Sequence, residues 1–147
     1  MIENSKGLKP ADFKQIRRFA VQFVYQQDIN QQFVMQNQTL QQFMRQSEVI
    51  EGQKDFLRNF LTALFDNSKK IDDLIEAYAK NWKISRIAKV DLAILRVAIL
   101  ELLERNDTDV GVIIAEAAAI AQEFGSGNSA SFVNGILDAI AKDVRKA

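Results

Sequence analysis

The chain has 147 residues, 48% of them apolar, and formal net charge zero, which fits one domain with a real core and argues against wholesale disorder. It contains no cysteine and no histidine, so disulfides, thiolate chemistry and the usual imidazole acid, base or metal ligand are excluded. Neutral net charge does not favour general nucleic-acid binding, which rewards excess Lys and Arg; any such site has to be local.

Pro10 suits the first turn of a helix, where its missing N–H costs nothing, and residues 1–9 before it are read as flexible. From there Phe13, Ile16, Ala20, Phe23 and Val24 recur at helical spacing as one face, and Lys14, Arg17, Arg18, Val21 and Tyr25 fall on the opposite side. Five basic side chains lie within the first twenty residues, so a local nucleic-acid site is expected near the N-terminus. Residues 28–48 are rich in glutamine, with Phe33, Val34, Leu40, Phe43 and Met44 threaded through at a spacing that predicts a second helix.

The pattern over 53–82 predicts one long helix, or two broken near Asn67-Ser68, closed by Trp82, with Ser85 capping the next short turn. Val90 to Leu103 is apolar nearly all round and predicts a central buried helix. Within it, Arg96 needs a buried acidic partner, for which Glu116 and Glu101 are the candidates. Asn106-Asp107-Thr108-Asp109 reads as a capping loop. A helix follows and ends at Gly125 in a left-handed stop, and a turn at 126–129 leads into a last helix over about 130–145. No strand pattern competes. The fold class is therefore all-α, with about six or seven helices in a single domain over 1–147.

Three collinear blocks carry a resemblance. The run Trp82 to Ala98, the segment Phe124-Gly125 followed by Phe132-Val133-Asn134-Gly135-Ile136-Leu137-Asp138, and Arg17, Ala20, Val21, Gln22 and Tyr25 in the first helix resemble the NusB family of transcription antitermination factors. The likeness covers roughly residues 13–140. It implies two small packed helical bundles, with no catalysis and no cofactor or metal. It further implies binding of single-stranded boxA-type RNA together with the ribosomal protein NusE, acting indirectly on the RNA polymerase elongation complex, chiefly in ribosomal RNA operons.

On the residues themselves, Lys14, Arg17 and Arg18 supply phosphate donors and Tyr25 a ring, a pairing that single-stranded RNA sites use; an ordinary solvated face is the alternative. The resemblance adds Phe132 and Asn134 to the RNA surface, and turns Tyr25 and Asp91 toward the NusE partner. Asp91 also suits the N-terminal end of its helix electrostatically. By composition alone Phe132 reads as a core residue rather than a surface one. Gly135, inside the last helix, costs about 1 kcal/mol relative to Ala; tight helix packing is the first expected compensation and close approach of RNA backbone the second. Where the family has further arginines before Arg17 this chain has Phe13 to Ile16, and Ser131 replaces a common basic residue, so RNA contacts are thinner here.

Two other jobs fit the same fold: a protein adaptor without RNA binding, and a module like the N-terminal domains of ribosomal RNA methyltransferases. The latter need an α/β cofactor domain, which these residues lack, so on that reading the chain is a fragment. No nucleophile–base constellation or phosphate loop points to an enzyme. A homodimer covering the basic face of the first helix is compatible with the sequence. With neither an apolar signal core nor a membrane-length run, the protein is read as cytoplasmic.

Overall fold

The computed structural model describes residues 5–145. Of the flexible stretch expected at 1–9, residues 1–4 lie outside the described residues; the remainder forms a turn, with Leu8 packed against the core. Seven α-helices and no strand are found among the described residues: α1 (Pro10–Ile29), α2 (Asn37–Gln46), α3 (Glu51–Asp66), α4 (Ser68–Tyr78), α5 (Lys89–Glu104), α6 (Val110–Phe124) and α7 (Ser129–Val144). A 3-10 turn at Ile84–Arg86 precedes α5.

Helix α5 is the axis of the structure. Every residue from Asp91 to Leu102 is buried, as an apolar sequence without a polar face requires. It packs on α1, α3, α4, α6 and α7, and one apolar core runs through all seven helices. None of the helices is long and apolar enough to cross a membrane.

Several boundaries differ from the sequence expectation. The glutamine-rich helix is shorter than 28–48 because Gln31 adopts φ 56, a left-handed conformation that stops α1, and Glu48 at φ 57 closes α2. The buried Gln27 amide donates to the carbonyls of Gln32 (2.9 Å) and Val34 (3.1 Å), holding the loop between these helices. The break expected at Asn67-Ser68 is present: Asn67 Nδ2 donates to Ala63 O at 2.7 Å and α4 starts at the next residue. Helix α4 ends at Tyr78, before Trp82, and Ser85 lies inside the 3-10 turn without a capping bond. Gly125 is extended (φ −93, ψ −169), not left-handed. Crowding requires glycine there, since a Cβ would fall 2.8 Å from Ala121 O.

Helix α1 begins on half of a capping box. The Lys9 N–H donates to Asp12 Oδ2 at 2.9 Å, and Gln53 Nε2 on α3 donates to Asp12 Oδ1 at 3.0 Å. The Lys9 amide first, and Gln53 second, hold the Asp12 carboxyl below its usual value of 3.8. A depressed folded pKa adds stability above that value, lost as pH falls through the folded one. Amide protection in the first turn of α1 is therefore expected to fall across that acid window, and Asp12→Asn to remove the pH dependence, both readable by hydrogen exchange.

Candidate nucleic-acid interface

The basic residues of α1 do not share one environment. The helix is buried on two sides, which a single apolar arc does not anticipate: Ile16, Ala20, Phe23 and Val24 enter the core, and Arg17 and Val21, expected on the outer face, are buried as well. Arg17 and Val21 line a tight space with Ile94, Glu101, Ile113 and Ala117 from α5 and α6. Arg17 Nε and Nη2 donate to the two carboxylate oxygens of Glu101 at 2.9 and 2.6 Å, a bidentate pair with both side chains at least nine-tenths buried. Its guanidinium is thereby committed to the protein interior.

Lys14 and Arg18 remain outside. Lys14 is well exposed and reaches Glu116 on α6 at 3.5 Å. Arg18 donates to Glu123 on α6 at 3.0 and 3.2 Å, and to the Lys14 carbonyl at 3.2 Å. Exposed pairs of this kind contribute about 0–1 kcal/mol, so a phosphate can compete for both cations. Tyr25 is 36% exposed on the same helix.

Phe132 and Asn134 sit on the first turns of α7. Phe132 is half-buried, its ring edge-on to Trp82 with centroids 6.5 Å apart, and Asn134 is exposed. No hydrogen bond, ion pair or ring contact joins them to Lys14 or Arg18; α6, which packs on α7, carries the two acids that meet α1. Gly135 is exposed and a Cβ there would meet nothing within 4 Å. Tight helix packing therefore does not explain that glycine.

Asp91 is 8% exposed in the first turn of α5, and its Oδ1 is buried without a hydrogen-bond partner. Its place in the turn matches the helix-dipole role.

Arg96 is paired, but not to Glu116 or Glu101. It donates to both carboxylate oxygens of Asp72 (2.9 and 3.0 Å) and to Asp28 (3.2 Å), with Phe33 stacked at 4.3 Å. The pairing of Asp28, near the end of α1, was not anticipated. Arg105 was also missed: it donates to Glu101 at 3.0 Å and covers the Phe13 ring at 4.0 Å. The available signal was Glu101 itself, an acid inside an apolar helix. Among the described residues no group of acids is arranged to hold a metal.

Residues 14–142 match the family model described as the NusB family. The Transcription antitermination protein NusB of Acetivibrio thermocellus is 36% identical over 126 residues, 86% of each chain. That of Borreliella burgdorferi is 38% identical over 133 residues, covering 88% of this chain and 94% of the relative. A solved T. maritima NusB superposes with TM-score 0.78 at 32% identity, covering 88% of this chain and 90% of that one. A second structure, "Crystal Structure of a Plectonemic RNA Supercoil", holds a chain that superposes with TM-score 0.82 over 92% of this one and 98% of its own length; at 20% identity it speaks for the fold alone.

Removing Arg17 leaves buried Glu101 Oε1 without a donor and its charge held by Arg105 alone, so Arg17→Ala is expected to lower unfolding stability by roughly 3 kcal/mol. Arg18→Ala, which breaks only a surface pair, is expected to cost less than about 1 kcal/mol. Chemical denaturation of the two variants compares them directly.

Proposed function

The chain belongs to the NusB family, and from that membership we propose that it is a non-catalytic transcription antitermination factor of the cytoplasm that binds single-stranded boxA-type RNA together with the ribosomal protein NusE. The observation that carries this reading is the match along nearly the whole chain to relatives named Transcription antitermination protein NusB. Its readthrough role in ribosomal RNA operons follows from the same reading.

The RNA face runs from Lys14 and Arg18 on α1 to Phe132 and Asn134 on α7. The two cations exchange Glu116 and Glu123 for phosphates, and Phe132 offers a partly open ring for a base. Arg17 serves this face from within, by fixing the rotation of α1 against α5 through Glu101. The open surface over Gly135 lets RNA backbone come close to α7. The NusE-facing surface includes Tyr25 and the edge of Asp91, of which 8% is exposed.

A second reading, a protein adaptor without RNA binding, is favoured by one observation: all three α1 cations of this region already have acidic partners in the folded chain.

Fluorescence anisotropy of a labelled boxA-type RNA, with and without NusE over a salt series, separates the two. Binding is expected to tighten with NusE. Lys14→Ala and Arg18→Ala are each expected to weaken it and to flatten the log–log salt slope by about 0.7. Gly135→Ala is expected to stabilise α7 by up to about 1 kcal/mol while lowering RNA affinity, a pairing of effects that a purely structural glycine would not give. RNA binding absent in both conditions, with NusE still bound, establishes the adaptor.

A further inference from the structure

Between Tyr78 and Asp91 the chain carries four cations, Lys80, Lys83, Arg86 and Lys89, and no acid. Lys89 is paired with Asp28 at 3.1 Å. Among the described residues the side chains of the other three make no hydrogen bond or ion pair. They line one open groove of about 690 Å³ in the linker that joins α4 to α5, with Glu76 as its one acid. Trp82 stands on the same groove, 51% exposed, and its ring meets Phe132 edge-on.

We propose that this linker groove is a second single-stranded RNA contact, which continues the RNA path from Phe132 on α7 across Trp82 to Lys80, Lys83 and Arg86. The inference rests on the RNA reading given above and extends it to residues outside the α1–α7 face. Three observations fix the occupant. Unpaired cations call for a polyanion. A half-exposed indole among them offers a stacking platform, and cations around an aromatic ring are how single strands are held without base readout. The ring contact with Phe132 makes the groove continuous with the first face. On α1, a phosphate has to displace Glu116 and Glu123; here it displaces no ion pair, so the linker contact adds affinity with less opposition.

The test uses the full chain and boxA-type RNA, untailed or extended by single-stranded uridines at either end. Trp82 is the chain's sole tryptophan, so its own emission reports stacking. The tail is expected to tighten binding by about fivefold or more, to quench Trp82, and to steepen the salt slope by about 0.7 for each phosphate held. Lys83→Gln with Arg86→Gln, on exposed side chains that leave the Phe132 contact intact, is expected to remove that increment while untailed RNA binds as before. Equal binding of tailed and untailed RNA without quenching overturns the linker contact and leaves the α1–α7 face standing. Binding of tailed RNA alone, with quenching, supports the linker and removes that face. If the double variant loses NusE instead of the tail increment, the groove is a protein surface and the proposal falls.

Discussion

A buried carboxylate at the end of α5 sets the geometry of the molecule. Glu101 is 2% exposed and accepts from Arg17 on α1 and from Arg105 on its own helix. Burying a carboxylate is unfavourable by several kcal/mol unless its lone pairs are filled, so both arginines are required in place. Arg105 in turn lies over Phe13 and Phe56, which meet edge-to-face at 5.3 Å, and so joins α1 and α3 to the same point. Arg145, just past α7, donates to the carbonyls of Leu102 and Arg105 at 2.6 Å each and to Thr108 at 3.0 Å. These carbonyls belong to the end of α5 and the loop beyond it, where helical partners run out. Four helices therefore converge on one polar cluster.

A matching arrangement holds the opposite end of the α1–α5 pair. Arg96 joins Asp72 on α4 to Asp28 near the end of α1, and Lys89 adds a second bond to Asp28. Helix α1 is thus tied to α5 by Arg17 near its start and by Asp28 near its finish. With both ends fixed, its rotation about its own axis is fixed too, and the outward set is decided: Lys14, Arg18 and Tyr25. Buried ion pairs often add no net stability over well-packed apolar residues; the consequence of these contacts is which side chains of α1 face outward.

How much of this was legible follows from what a periodic pattern can carry. The central helix was readable because Val90–Leu103 has no polar face, and the α3–α4 break because Asn67-Ser68 interrupts the apolar spacing. The end of α1 was not, since Gln31 is a residue type that seldom adopts positive φ. Periodicity puts Arg17 on the outward face of α1 and so misplaces it; locating its partner needs a tertiary contact between residues 84 apart in sequence. Arg96 was placed inside by its apolar neighbours, yet its partners came from α1 and α4 for the same reason. In the linker, Trp82 was read as the close of a helix, although an acid-free run from residue 79 to 90 was visible throughout.

The neutral net charge acquires a different meaning once burial is known. Arg17, Arg96 and Arg105 are spent on Glu101, Asp28 and Asp72 inside the fold, so they neither attract a ligand at long range nor repel one. What a polyanion meets is the remaining exposed charge, and that is uneven: cations shadowed by acids along α1, cations without acids along the linker. A surface of this kind generates little long-range steering, so association depends on short-range contacts made in register. Such contacts gain most when a protein partner already holds the RNA nearby, because the second binding event then becomes intramolecular. On the function proposed above, a thin RNA face and a dependence on a protein partner would both follow from this one distribution of arginines.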